Sequence, residues 1–202
     1  QRAPGHTVLD NKIYHKGFTD FKNEVKANLQ SLDFFNDVGA FRKMEQLQAM
    51  DIAADALICH ADRYHEYLSA LAEKEQDKER KQELFQMADN CKTVPKNPPQ
   101  TFWQALQYYW FVHLGVITEL NTWDSFNPGR LDLHLYPFYK NDIEEGRLTP
   151  EKAKELLQSF WIKFHNQPAP PKVGVTALES STYTDFCLIN VGGLNEKGED
   201  AT

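Results

Sequence analysis

The stretch NTWDSFNPGRLDLHLYPFY, residues 121–139, joins the most apolar predicted helix of the chain to its best amphipathic one. A turn at Pro128-Gly129 interrupts it, because proline fixes φ and glycine accepts dihedrals that other residues refuse. Before the turn, a carboxylate and a hydroxyl lie between two aromatic rings: Trp123, Asp124, Ser125 and Phe126. This combination after a buried helix is typical of a pocket wall. The alternative is a buried turn in which Arg130 and Asp132 form a structural pair.

Composition excludes several classes of partner. The 202 residues carry a formal net charge of −7 without a long basic run, which argues against nucleic acid and anionic membranes. No stretch is free of polar groups for the roughly 20 residues that a membrane span needs. Three widely spaced cysteines without a CxxC motif predict reduced thiols in a cytoplasmic protein. The histidines show no HExxH motif, so no metal site is predicted.

The first part of the chain, residues 1–98, predicts outer helices. Apolar residues at every fourth position predict one amphipathic helix over residues 9–32: Ile13, Gly17, Phe21, Val25 and Leu29. A second helix is predicted from a cap at Asn36 or Asp37 to Glu75. Its apolar stripe is expected to include Phe41, Met44, Leu47, Met50, Ala54, Leu57, Ile58, Ala61, Tyr64 and Leu68.

The remainder of this part is polar. His60 and His65 are expected on the surface, since they lie five positions apart on different helix faces. The charge run of residues 73–83 predicts a solvated helical face that leads to a further helical segment ending near Cys91. The prolines of residues 94–99 predict an elbow.

The second part, residues 99–202, predicts central helices followed by strands. A helix over residues 102–117, starting at Thr101, is apolar nearly all round, so its aromatic side chains and His113 are expected in the core: Trp103, Tyr108, Tyr109 and Trp110. Helical periodicity returns over residues 130–145 and ends at Gly146.

Thr149 and Pro150 predict the start of a third helix in this part, over residues 150–165. Its predicted buried residues are Ala153, Leu156, Leu157, Phe160, Trp161 and Phe164. Strands are predicted at residues 172–177 and 187–193. Because the second strand needs neighbours on both sides, the chain is expected to be a fragment of a larger protein. Helices first and strands last predict a helical layer outside a barrel that has only begun.

Three separate segments resemble the pyruvate formate-lyase-like domain of glycyl radical enzymes: WQALQYYWFVHLGVITELN, PGRLDLHLYPFYKNDIEEGRLTPEKAKELLQSFWIKF and CLINVGGLNEKGEDAT. The most specific signature is Arg-x-Asp followed by YPFY and an acidic helix with an E-x-G turn. The resemblance implies an α/β fold in which residues 1–202 form part of one domain. They would be the helix-rich part of a ten-stranded β/α barrel, with only the first barrel strands present.

The same resemblance implies radical chemistry. A radical S-adenosylmethionine activating enzyme installs a glycyl radical, which generates a cysteine thiyl radical that abstracts hydrogen from a small-molecule substrate. The radical Cys, its partner Glu and the radical Gly have no counterpart in these residues, and Cys187 lacks the acid two positions later. Catalytic residues, metals and bound cofactors are therefore not expected here. A homodimer is expected.

The loop before Arg130 departs from the Gly-His-Ser of dehydratase members, which argues against a glycerol or propanediol dehydratase. WDSFNPGR and NQPAPPKVGVTA are most similar to the isethionate sulfite-lyase branch, which implies C–S cleavage of isethionate to sulfite and acetaldehyde. A sulfonate needs strong donors on one side of a pocket and an apolar wall opposite. The substrate-binding residues implied by the resemblance are Gln1, His6, Asp124, Ser125, Phe126 and Phe186.

Two alternatives remain open. Another glycyl radical lyase, a dehydratase or an arylacetate decarboxylase, would use the same scaffold. A non-enzymatic helical binding module would share the scaffold without the chemistry.

Overall fold

A computed structural model describes residues 9–119, 128–164, 189, 191–195 and 197–200. The chain divides into two compact units, Tyr14–Pro99 and the combination of Gln1–Ile13 with Gln100–Thr202. Within the described residues the elements are a 3₁₀ helix Asp10–Tyr14, α1 Phe18–Gln30, α2 Ala40–Lys74, α3 Lys78–Thr93, α4 Phe102–Glu119, α5 Leu131–Glu144 and α6 Pro150–Lys163. Over this described part, every helix is too short or too polar to cross a membrane.

The predicted single helix over residues 9–32 is wrong, because the chain breaks at Gly17 before α1 begins. The proline elbow lies against this break. Its carbonyl oxygens accept the first free N–H groups of α1: Phe18 N donates to Pro95 O at 2.8 Å and Thr19 N to Lys96 O at 3.1 Å. A helix start needs such acceptors, and here the main chain supplies them.

The Tyr14–Pro99 unit is built on α2, which packs against α1 and α3. The helix begins at Ala40 with Gly39 at its cap, so the predicted cap at Asn36 or Asp37 is wrong. Asp37 instead accepts Gly39 N at 2.8 Å in the preceding loop.

The buried stripe of α2 is narrower than the sequence predicts, since Phe41, Met50 and Tyr64 are exposed. Small residues dominate what is buried: Ala40, Ala54, Ala61, Leu68 and Ala72. Alanine lets neighbouring helix backbones approach closely, which explains how a narrow stripe can hold two partners.

His65 ties α2 to α3, which corrects its predicted place on the surface. Its Nδ1 lies 2.8 Å from the Ala88 carbonyl oxygen, and the side chain is partly buried. His60 is partly buried as well. The charged run between the helices breaks at Asp77, whose carboxylate accepts Arg80 N at 2.8 Å and caps α3.

In the second unit, α4 is the central helix, as predicted. Thr101 Oγ1 accepts Gln104 N at 3.3 Å and starts the helix. Tyr108, Tyr109, Trp110 and His113 are buried, which confirms the predicted core. Trp103 is only partly buried, and the Lys152 ammonium of α6 lies 5.8 Å from the centre of its ring.

Aromatic rings join α4 to α6. Ring centroids lie 5.5 Å apart for Trp110 and Phe164, and 5.8 Å apart for Tyr109 and Phe160. Trp161 was predicted to be buried but is exposed, because it lies on the outer edge of this cluster. The Thr149 cap is confirmed by its hydrogen bond from Lys152 N at 3.2 Å.

A buried carboxylate joins the start of α4 to the end of α5. Asp142 is 3% exposed, and its Oδ2 accepts Phe102 N at 2.8 Å. Its Oδ1 accepts Nε and Nη2 of Arg147 at 3.0 and 2.7 Å. The turn of Gly146, with φ +69°, brings Arg147 back to this carboxylate.

The structure describes few of the residues that were expected to form strands. Residues 172–177 lie outside them. Of residues 187–193, those that the structure describes lie outside any strand. The described residues contain one isolated antiparallel bridge, between Leu194 and Asp200. The helix-rich part of the predicted fold is thus present, and the barrel strands and the single-domain assignment stay predictions.

Replacing Gly17 by Ala should destabilise the Tyr14–Pro99 unit. A Cβ there would lie 2.3 Å from Lys96 O and 2.4 Å from Asn97 Cα, both backbone atoms that cannot move alone. Overpacking of this kind costs about 1–3 kcal/mol or more. The control is Gly39→Ala, whose Cβ would meet only side-chain atoms at 3.2 Å or beyond. Urea denaturation checks both variants, and equal midpoints for the two would contradict the close approach at Gly17.

Replacing Asp142 by Ala should lower the free energy of unfolding by about 2–3 kcal/mol, because the buried N–H of Phe102 would lose its acceptor. The exposed cap variant Thr149→Ala, expected to cost about 1 kcal/mol, is the matched control. Urea denaturation measures both, and a loss at Asp142 no greater than at Thr149 would refute the role given to this carboxylate.

Candidate functional site

The first turn of α5, residues 131–134, gathers contacts from three separate segments of its unit. Gly129, with φ +68°, turns the chain, and Arg130 occupies the helix cap without a capping side chain. Leu131 and Leu135 are buried and hold the turn in the core. Asp132 and His134 therefore have fixed positions from which to contact other segments.

Asp132 binds the backbone of a segment 60 residues further along the chain. Its Oδ2 accepts Gly192 N at 2.6 Å, and its Oδ1 accepts Leu133 N at 2.9 Å. The sequence offers Arg130 and Asp132 as a structural pair. The described residues show no ion pair between them, because both carboxylate oxygens face backbone N–H groups.

The segment that Asp132 holds is a glycine turn followed by a compact loop. Gly192 and Gly193 have φ of +80° and +85°, a region that side chains disfavour. Asn195 Oδ1 then accepts Lys197 N at 2.9 Å and Glu199 N at 3.0 Å. These bonds order the loop after the glycine pair, so Asp132 contacts a defined structure.

His134 contacts the other two segments. Its Nε2 lies 3.8 Å from Asp10 Oδ1, and its ring donates to the Pro128 carbonyl oxygen. The side chain is 13% exposed, and this burial lowers the pKa of His134 despite the opposing charge of Asp10. Leu9 and Asp10 both have positive φ, 59° and 46°, so the chain is strained where it approaches this histidine.

The structure leaves the six predicted substrate-binding residues untested. All of them lie outside the described residues: Gln1, His6, Asp124, Ser125, Phe126 and Phe186. They belong to three segments of sequence, and one described residue near each segment contacts the first turn of α5: Asp10, Pro128 and Gly192. The turn therefore contacts one described residue that follows each of these three segments in sequence.

Sequence reasoning missed the roles of Asp132 and His134. Helical spacing shows that they precede a buried residue, but no local pattern reveals a partner 60 residues away. Among the described residues, no group of three or more histidine, cysteine and acidic side chains could hold a metal ion. Cys59 is exposed and Cys91 is buried.

A surface groove of about 580 Å³ lies in the Tyr14–Pro99 unit, lined by the end of α1 and the start of α2. The acidic side chains that line it already accept hydrogen bonds from neighbouring groups. Asp33 accepts two backbone N–H groups and the Asn36 amide, and Asp37 accepts the Lys43 ammonium at 2.6 Å. The groove contains none of the predicted substrate residues, so we assign no function to it.

Residues 1–202 match the family described as Pyruvate formate lyase-like, and the chain belongs to that family. It is 54% identical over 200 residues to trans-4-hydroxy-L-proline dehydratase of Clostridioides difficile, covering 99% of this chain and 25% of that protein. It is 34% identical over 194 residues to isethionate sulfite-lyase of Nitratidesulfovibrio vulgaris, covering 95% of this chain and 23% of the relative.

Solved structures give the same result. The crystal structure of the Clostridioides difficile hydroxyproline dehydratase with bound trans-4-hydroxy-L-proline superposes with a TM-score of 0.91 at 54% identity, over 100% of this chain and 26% of that one. A glycyl radical enzyme from Archaeoglobus fulgidus superposes with a TM-score of 0.84 at 32% identity, over 99% of this chain and 26% of that one. The predicted family is therefore confirmed, and the chain spans about a quarter of the length of these proteins.

Acidification should reduce the stability that His134 contributes. A pKa lowered on folding, from an ordinary 6.5, means that the unfolded chain binds the proton more readily. The contribution is complete above pH 6.5 and is lost as the pH falls from there through the lower pKa of the folded state.

The measurement is urea denaturation of the wild type and His134→Gln at pH 8, 6.5 and 5. The difference in unfolding free energy between them should fall on acidification. Asp10→Asn should steepen the fall, because the Asp10 charge raises the pKa of His134. A difference that grows at low pH would contradict the assignment.

Proposed function

We propose that the chain is part of a glycyl radical dehydratase that removes the hydroxyl group of trans-4-hydroxy-L-proline as water. The observation that carries the proposal is the 54% identity to the Clostridioides difficile hydroxyproline dehydratase, against 34% to isethionate sulfite-lyase. The sequence alone favoured C–S cleavage of isethionate. The comparisons support the dehydratase alternative better, and because these relatives are enzymes they also favour an enzyme over a non-enzymatic binding module.

The chemistry of the pocket loop agrees with an amino-acid substrate. Hydroxyproline carries a secondary ammonium, and Asp124 offers the carboxylate that such a cation needs in a dry site. The only charged group of isethionate is its anionic sulfonate, which a nearby carboxylate would repel. The acid in this loop is therefore better explained by a cationic group than by a sulfonate.

The other predicted residues have roles in the same scheme. Phe126 and Phe186 would form apolar walls that exclude water from a radical intermediate. His6 and Ser125 would contact the hydroxyl group of the substrate. Gln1 would donate a hydrogen bond to the carboxylate of the substrate. The substrate radical itself would be formed by a thiyl radical whose cysteine lies outside these residues. The activating enzyme, the homodimer and the cytoplasmic location remain predictions.

The test is anaerobic turnover by the complete polypeptide that contains this chain, after activation, with trans-4-hydroxy-L-proline, isethionate, glycerol and 1,2-propanediol offered separately. We expect dehydration of hydroxyproline and no sulfite from isethionate. Sulfite release from isethionate, with hydroxyproline left intact, would overturn the proposal.

Asp124→Asn should lower kcat/KM for hydroxyproline by at least about tenfold, because a charge-assisted bond to the ammonium would become a neutral one. Thr149→Ala, in the cap of α6, is the control and should leave kcat/KM unchanged. Activity of Asp124→Asn equal to that of the control would remove this acid from the pocket.

A further inference from the structure

We propose that Asp132 is a positioning residue for substrate binding, whose carboxylate holds the turn at Gly192 and Gly193, which follows Phe186 in sequence, against the first turn of α5, which follows Asp124. The inference rests on the proposed function, because those two residues are substrate-binding residues only in that proposal. Asp132 itself is assigned no contact with substrate. Its effect passes through the backbone of Gly192.

The contact is strong for a single hydrogen bond. Asp132 Oδ2 accepts Gly192 N at 2.6 Å, a distance typical of a charged acceptor. The carboxylate lies in the first turn of α5, where the helix dipole favours negative charge. Its other oxygen accepts Leu133 N at 2.9 Å, so the side chain is held in one orientation.

The glycine pair makes this bond decisive for the direction of the chain. Gly192 and Gly193 both have positive φ, and a Cβ built on either would meet no atom within 4 Å. The space beside both residues is open, and glycine can adopt many other conformations. The hydrogen bond to Asp132 selects one of them. Phe186 lies six positions before Gly192 in the sequence, so we expect the anchor at Gly192 to act on substrate binding through the backbone.

The other candidate segment is connected to the same carboxylate by the chain itself. Asp124 lies eight positions before Asp132, and the turn at Pro128 and Gly129 separates them. Pro128 is buried, and its carbonyl oxygen accepts a hydrogen bond from the ring of His134. His134 lies in the same helical turn as Asp132. Asp132 thus joins, through a side chain, the helix that follows Asp124 in sequence to the glycine turn that follows Phe186 in sequence.

The experiment compares Asp132→Ala and Asp132→Asn in the complete, anaerobically activated polypeptide, with Thr149→Ala as a helix-cap control. Loss of a hydrogen bond to a charged group should raise KM about tenfold in Asp132→Ala. We expect kcat and the glycyl radical signal in electron paramagnetic resonance to stay within about twofold. Asp132→Asn keeps an oxygen that can accept Gly192 N and should restore KM to within about threefold of the wild type.

Hydrogen exchange measured by mass spectrometry supplies a readout that is independent of activity. The peptide that covers residues 189–195 should exchange faster in Asp132→Ala than in the wild type, and Asp132→Asn should stay close to the wild type. Thr149→Ala should leave this peptide unchanged. Unchanged exchange in Asp132→Ala would overturn the anchoring role. Faster exchange with an unchanged KM would overturn the link to substrate binding.

Two further outcomes separate this inference from the proposed function. If the wild type cleaves isethionate rather than hydroxyproline, the proposed function fails, and KM of the variants for isethionate still decides the role of Asp132. If Asp132→Ala loses kcat and radical signal together, with KM unchanged, the residue supports the reaction centre or the fold, and the positioning role is refuted.

Discussion

The buried carboxylate of Asp142 is the constraint on which the second unit depends. It accepts hydrogen bonds from the N–H of Phe102, at the start of α4, and from the guanidinium of Arg147, after the end of α5. One side chain therefore connects the two helices. A nearly buried acid is tolerable only with such partners, since an uncompensated charge in the core is strongly unfavourable. Asp132 lies ten positions earlier on the same helix, or about 15 Å along its axis. One end of α5 is therefore fixed in the core while the other contacts Asp10 and Gly192.

The helices could be predicted from the sequence where a pattern is local. Thr101, Thr149 and Gly146 mark helix ends through their own chemistry, and each is found where its residue type predicts. The prediction failed at Gly17, where the break is imposed by the distant carbonyls of Pro95 and Lys96. It also failed for the outer residues of α2, because apolar spacing does not tell how many neighbours a helix has.

Only part of the candidate site could be predicted from the sequence, because its deciding contacts also come from residues that are distant in sequence. The Arg-x-Asp motif indicated that Asp132 has a structural role, and the choice of Arg130 as its partner followed from proximity in sequence. The observed partner, Gly192, is a backbone group 60 residues away, and a backbone N–H has no sequence signature. The substrate preference has a similar limit. Under the proposed function, a single acid in a loop would distinguish a substrate with a cationic group from one without.

The start of α1 is held by the main chain, because carbonyl oxygens of Pro95 and Lys96 serve as its acceptors. Any residue has a carbonyl oxygen, so the side chain at position 96 is free to vary among related proteins without loosening the helix. Gly17 has no such freedom. Among related proteins, we therefore expect the residue at position 96 to be replaced often and the glycine at position 17 to be replaced rarely.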